Sequence, residues 1–277
     1  MAASSQRNRK ALVTLACGEF YTELGKVTHP FMEDYARKCA AEFLVIRKRQ
    51  VNKTYNLSER YEKFQVFDLL DDYEQILFVD TDILIAPDAP SLFEITPIDR
   101  FAAASEAGYS MAQRDITLTQ EILGAVEWLN PYFNSGVMVF SRMHKEVFDP
   151  LSADLKSWST GEFRAGQTNL LNDQPYLNHR LNKLRIPLQD LTYRYNHTRV
   201  IKETETRFSS FLIHYSGPSG HRYGTRVGQM RKDAALLRNS TFYWLSKKAP
   251  WYRWVADRMD MDFVRYLIEE KWKLKST

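Results

Sequence analysis

At 277 residues, with 44% hydrophobic residues and a net charge of +4, the chain is an ordinary globular sequence, long enough for one large α/β domain or two small ones. So mild a charge makes no case for a nucleic-acid partner, and no apolar run approaches the length of a membrane span. Only Cys17 and Cys39 occur, which excludes a disulfide framework and fits a reducing compartment. The polar opening MAASSQRNRK lacks the apolar core of a secretory leader, so a cytoplasmic location is expected and the Asn-x-Ser/Thr triplets at Asn52, Asn56, Asn196 and Asn239 read as chance matches.

Residues 1–10 read as a disordered tail, residues 11–225 as one α/β domain and residues 226–277 as a helical extension packed on it. Ala11–Ala16 is a first buried strand, and Cys17–Tyr21 the loop that leaves it. Thr28–Ala41 carries apolar residues at helical spacing (Phe31, Tyr35, Cys39), and Glu42–Arg47 is a second strand. Strand, helix, strand predicts a right-handed parallel crossover. Leu57–Leu70 reads as a helix with Ser58 as cap and Tyr61, Phe64 and Phe67 on one face.

Next comes QILFVDTDILIAPDAP (Gln75–Pro90), around which the chain is organised. Ile76–Val79 is a wholly apolar strand that breaks off in Asp80-Thr81-Asp82, and Ile83–Ile85 follows at once. Alternation along extended backbone turns Asp80 and Asp82 to one side. Two acids between apolar runs are costly unless paired with positive charge, and a divalent cation beneath a diphosphate meets that need. A turn with two solvated acids is the alternative. Phe101–Ser105 is a further strand, and a helix is expected near Ile116–Trp128. Asn134-Ser135-Gly136 reads as a turn before the strand Val137–Phe140, and a helix begins at Arg142–Phe148. Asn169–Leu181 is helical from Pro175 onward. Phe211–His214 is a short strand ending in histidine, followed by YSGPSGHRYG; Arg226–Leu237, Thr241–Lys247 and Trp251–Trp272 read as helices.

Polar groups recur at the carboxyl ends of the strands, where ligands bind in open α/β sheets. His214 ends FLIH as Asp80 ends ILFV, and an imidazole beside two carboxylates completes a site for Mn²⁺. A hydrogen-bonded structural histidine is the alternative. Gly217, Gly220 and Gly224 allow close backbone approach to phosphate, with His221 and Arg222 as sources of charge, or they simply mark turns.

These residues resemble glycosyltransferase family 8, of the GT-A fold. VTLACGEFY (Val13–Tyr21) is similar to the family's first strand and nucleotide loop, and RYEKFQVFDLLDDYEQILFVDTDILI to its basic helix and DxD strand. NSGVMVF, NDQPYLN and HYSG resemble its later segments, in family order. The resemblance covers about Ala11 to Tyr223. It implies a mostly parallel central sheet flanked by helices, and transfer of a hexose from a nucleotide-sugar, UDP-linked, to a glycan, glycolipid or glycoprotein acceptor. Asp80, Asp82 and His214 would bind Mn²⁺ (or Mg²⁺), with Thr81 inside the cofactor-binding motif. Ala16 and Cys17 would meet the nucleotide through backbone, with Tyr21 near the base and Lys63 over the donor. Asn134 and Asp173 would bond sugar hydroxyls, Gln174 would lie by the anomeric carbon, and Gly217 would let the chain close over the diphosphate. The family's phosphate-binding lysine after His-x-x-Gly is missing; His221 or Arg222 would replace it. The anomeric configuration would be retained, without a carboxylate nucleophile.

Residue by residue, plainer roles stand beside these: Asn134 in a turn, Asp173 as a helix cap, Lys63 on a solvated face, Tyr21 in the core. As whole-chain alternatives, a haloacid-dehalogenase-type phosphatase would also place Asp-x-Asp after a strand, and a non-catalytic binder would use the same fold. WYRWVADRMDMDFVRYLIEEKWKLK has an apolar face that packs on the protein itself or docks on a membrane surface or partner subunit.

Overall fold

The computed structural model describes residues 9–51, 57–106, 108–109, 111–160, 172–198, 204–217 and 225–248. Its centre is a six-stranded sheet in the order β2-β1-β3-β6-β5-β7, formed by β1 (Lys10–Leu15), β2 (Glu42–Ile46), β3 (Gln75–Val79), β5 (Phe101–Ser105), β6 (Phe133–Ser141) and β7 (Leu188–Asp190). Five strands point the same way and β6 alone runs against its neighbours β3 and β5. Hydrophobic periodicity carries no direction, so this reversal was invisible in the sequence. Both faces of the sheet are buried: Ile76 and Phe78 of β3 enter one core cluster, Leu77 and Val79 the other. That double burial is why the strands read as unbroken apolar runs rather than alternating ones.

On one face an aromatic cluster of Phe64, Phe101, Phe140 and Phe148 packs with ring centroids 4.4–6.2 Å apart. The other face is covered by α1 (Glu19–Lys38), which begins nine residues before the predicted Thr28. Gly18, at φ 87°, turns the chain out of β1, and Leu24, Val27, Phe31 and Tyr35 then supply the buried stripe. Tyr21 therefore sits in a helix, where the sequence suggested a loop. The expected helix Leu57–Leu70 is a 3-10 stretch, Glu59–Gln65, running into the single turn α2 (Val66–Leu69), and the Ser58 side chain makes no capping bond.

Asp80-Thr81-Asp82 is a turn, and extended alternation does not hold there. The Ile83 N–H donates to the Asp80 carbonyl at 3.2 Å, and it is this reversal that brings the acids together. It also carries β4 (Ile83–Ile85) out of the main sheet to pair antiparallel with β8 (Leu212–His214), Ile83 opposite His214. Asn134-Ser135-Gly136 corrects the other way: these residues lie inside β6. The pairing with β5 jumps there from Met138 to Asn134, leaving Ser135, Gly136 and Val137 without a β5 partner. The short α3 (Leu92–Ile95), α4 (Ala112–Leu123), α5 (Ala153–Thr160) and α6 (Asp173–Lys183) complete the flanks; the N-cap of α6 is Asn172, so Asp173 is its first residue and no cap. Two C-terminal helices, α7 (Arg226–Arg238) and α8 (Ser240–Lys248), follow, and Met230, Ala234 and Leu237 of α7 pack on α1, β4 and β8. The predicted helix Trp251–Trp272 lies outside the described residues. No helix among those described is long and apolar enough to cross a membrane.

Candidate active site

A cleft of about 280 Å³ opens at the carboxyl ends of β1 and β3, over the β6 irregularity and beneath the starts of α6 and α7. One ligand atom from each of Asp80, Asp82 and His214 lies within 4.8 Å of the others there. The backbone enforces this. Besides the register of Ile83 on His214, the Tyr215 N–H donates to the Asp82 carbonyl at 3.0 Å, so the end of β8 is stitched to the turn. The His214 ring is aimed by Asn196, whose Oδ1 lies 2.8 Å from Nδ1 while its Nδ2 donates to Asn134 Oδ1 at 2.7 Å. With Nδ1–H spent on that amide, Nε2 is the face presented to the acids, 3.3 Å from Asp82 Oδ1. Gly136 makes the room: a Cβ there would meet His214 Cε1 at 2.5 Å. Two carboxylates and an imidazole with a directed Nε2 fit a Mn²⁺ or Mg²⁺ ion.

A second group of side chains forms the far wall. Glu106, just past β5, accepts from Asn134 Nδ2 at 2.9 Å and from Gln174 Nε2 at 2.8 Å. The Ser135 N–H donates to Gln174 Oε1 at 3.3 Å, and Ser135 Oγ donates to Asp173 Oδ2 at 2.8 Å. Lys63 lies below, only 1% exposed, its Nζ 2.5 Å from Asp173 and 3.6 Å from Asp80. It is neither on a solvated face nor at the surface of the cleft; its charge ties the two ends together from underneath.

Burial and charge pull these groups in different directions. Burial opposes the charge of Asp82, but His214, then Arg226, outweigh it and hold the carboxyl below its ordinary range. For Asp80 burial wins over Lys63 and His214, and its pKa rises. His214 is raised because Asp82 more than offsets its burial. Burial likewise lifts Glu106 against its amide hydrogen bonds, whereas Lys63 and Asp173 each keep their charge through the other.

Of the residues singled out from the sequence, Tyr21, Asp80, Thr81, Asp82, Asn134, Asp173, Gln174, His214 and Gly217 line the cleft. Thr81 turns its side chain inward to bond the Leu15 carbonyl and is 2% exposed. Ala16 and Cys17 lie at the buried end of β1, outside the lining, as does Lys63. Gly220, His221, Arg222 and Gly224 fall outside the described residues. Among the lining residues that were missed are Glu106, Arg60 and Arg226. Glu106 had a signal, a polar residue directly after a strand. Arg226 had none, since its contact with Asp82 spans 144 positions.

A model described as glycosyl transferase family 8 matches residues 19–219. No curated protein matches the chain. Among solved structures, an active-site mutant of LgtC is similar over 81% of this chain and 95% of its own, at 13% identity and TM-score 0.53. The WbbM bifunctional glycosyltransferase is similar over 90% of this chain and 52% of its own, at 12% identity and TM-score 0.52. A glycosyltransferase involved in glycosylation of the major capsid of PBCV-1 aligns over 82% of this chain and 98% of its own, at 12% identity and TM-score 0.47. At these identities the likeness to the LgtC and WbbM structures is one of fold, the GT-A fold.

Proposed function

The chain belongs to glycosyl transferase family 8 and is a glycosyltransferase, and from that premise we propose that it moves a hexose from a UDP-sugar to a glycan, glycolipid or glycoprotein acceptor, with retention and with Mn²⁺ or Mg²⁺. The observation that carries this reading is the approach of Asp80, Asp82 and His214 within 4.8 Å, with the Nε2 of His214 aimed at the acids. Family membership leaves the phosphatase alternative without support.

When bound, the ion supplies Lewis-acid stabilisation of charge gathering on the departing diphosphate. The chain's residues do the rest. Asp80, Asp82 and His214 would hold the ion, His214 through its Nε2. Asn134 and Asp173 bind donor hydroxyls, each already fixed by Glu106, Asn196, Ser135 or Lys63 and so paying little ordering entropy. The Gln174 amide, clamped by Glu106 and Ser135, lies beside the anomeric carbon and stabilises positive charge as the bond to phosphate breaks. Tyr21 stands at the nucleotide end, with the backbone of Ala16 and Cys17 beside it, and Gly217 (φ 81°) closes over the diphosphate. The leaving phosphate takes the acceptor's proton, which is why no carboxylate nucleophile is assigned.

The test is a thermal-shift screen of nucleotide-sugars with and without Mn²⁺: a UDP-hexose is expected to raise the melting temperature only with metal. Stabilisation that ignores metal would sink the reading. A cytoplasmic location with peripheral membrane contact through Trp251–Trp272 belongs to the same proposal; sedimentation with anionic liposomes, compared with a chain ending before Trp251, checks it, and equal binding by both sinks it.

A further inference from the structure

Arg226 opens α7 and reaches back into the cleft. Its Nη1 donates to Asp82 Oδ2 at 3.0 Å, its Nη2 donates to the Gly217 carbonyl, and its guanidinium lies 5.6 Å from the ring of Phe20. Three anchors, on the turn before β4, the loop after β8 and α1, leave the side chain 15% exposed and facing the cleft. This position is peculiar in electrostatic terms. Asp82 offers Oδ1 towards His214 and the proposed ion, yet Oδ2 to a permanent cation. A divalent ion and a guanidinium sharing one carboxylate repel each other.

The charge balance resolves the peculiarity. Lys63 is committed to Asp173. What remains around Asp80 and Asp82 is two negative charges against three positive ones, the ion's two and Arg226, so the corner is complete only with an anion in it. Arg60, the other arginine of the lining, donates to Asn172 and adds its positive charge to the same cleft, near Tyr21, Asp80 and Asp173. A guanidinium has five N–H donors, of which Asp82 and Gly217 take only part, and its planar fork suits phosphate oxygens.

We propose that Arg226 is the diphosphate-binding cation of this chain, held on Asp82 and Gly217 until the donor arrives and turning metal and nucleotide into ligands that need each other. The inference rests on the donor reading given above. It predicts effects of opposite sign on the two ligands. Without nucleotide, Arg226 repels the metal; with a diphosphate between them, both cations attract it.

Isothermal titration of the full chain separates these. For R226A, the affinity for Mn²⁺ alone is expected to hold or rise severalfold, while the affinity for UDP in saturating Mn²⁺ falls at least tenfold. UMP binding is expected to change less than UDP binding, and R226K, which keeps the charge but loses the fork, to recover part of the loss. Circular dichroism establishes that each variant is folded, and R226K carries the test if R226A is not. Undiminished UDP binding by R226A overturns the inference. So does an equal loss for Mn²⁺ alone and for UDP, which would mark Arg226 as no more than a prop for Asp82. If the wild-type chain itself shows no Mn²⁺-dependent UDP binding, the donor reading falls and takes this inference with it; wild-type binding that R226A leaves intact removes the inference alone.

Discussion

The two ends of the cleft solve the problem of buried polarity in different ways. Around Glu106 the amides of Asn134 and Gln174, the Ser135 hydroxyl and the Asp173–Lys63 pair use one another up, donor to acceptor, with contacts of 2.5–3.3 Å. Around Asp80 and Asp82 there is no such closure: charge faces charge, His214 and Arg226 on one acid and the distant ammonium of Lys63 on the other. The first end is rigid before any substrate arrives. The second is assembled for ions. Preorganised dipoles suit a sugar, whose hydroxyls offer little energy per contact, while mobile charge suits a metal and a diphosphate.

Asp82→Asn strikes the ionic end hardest. It keeps the shape and removes the charge, and transfer is expected to fall on the order of 10³-fold, with the metal-dependent thermal shift gone. A variant that still shows that shift would break the contrast. Lys63→Met tests the link between the ends, since it deprives the nearly inaccessible Asp173 of its buried cation and leaves it the Ser135 hydroxyl. A loss of about 3–5 kcal/mol is expected, read as a fall of roughly 10 °C in melting temperature. Gly136→Ala drives a methyl into the His214 ring, so metal affinity should drop roughly 10–100-fold in calorimetry. Unchanged affinity would mean that His214 is no ligand. Glu106→Gln then sharpens the comparison: one of its two accepted hydrogen bonds must be given up. An approximately tenfold fall in kcat is expected, with Mn²⁺ affinity unaltered. Equal losses in both would show that the two ends are not separable.

The smallest effect lies outside both ends. Burial lowers the pKa of His29 and of His144 to about 4. The unfolded chain takes up these protons near pH 6.5 and the folded chain only near 4, so stability is intact above that window and declines as the pH falls through it. A drop of a few degrees in melting temperature between pH 7 and pH 5 is expected, and it should diminish in His144→Gln. A flat profile in the wild type would remove the argument.

What could be read beforehand followed the strength of the local pattern. Apolar strands such as Ile76–Val79 announced themselves because burial on both faces admits nothing else. The candidate metal cluster could be named because acid and imidazole are rare at strand ends, yet the reason given for Asp80 and Asp82 was incomplete: a turn, not alternation, brings them together. Asn134–Gly136 read as a turn because its residue types favour turns, whereas pairing of Asn134 with β5 and of Val137 with β3 holds the segment in β6, and its glycine admits His214. Arg226 escaped because its meaning lies entirely in a partner far away in sequence, Asp82; Glu106 left a local trace in its place after β5, but its role is set by the equally distant Gln174.

The amide that steers His214 belongs to Asn196-His197-Thr198, an acceptor triplet for N-linked sugar, and Asn196 is wholly inaccessible. An oligosaccharide attached there during translocation would occupy the nitrogen that grips Asn134 and could not be housed in the finished molecule. Production through a secretory host should therefore yield two populations, an unmodified one that binds manganese and a modified one retained by quality control. Asn196→Gln would abolish the second and weaken manganese binding by the first, because the longer side chain misplaces the His214 ring; intact-mass measurement beside metal titration reads both.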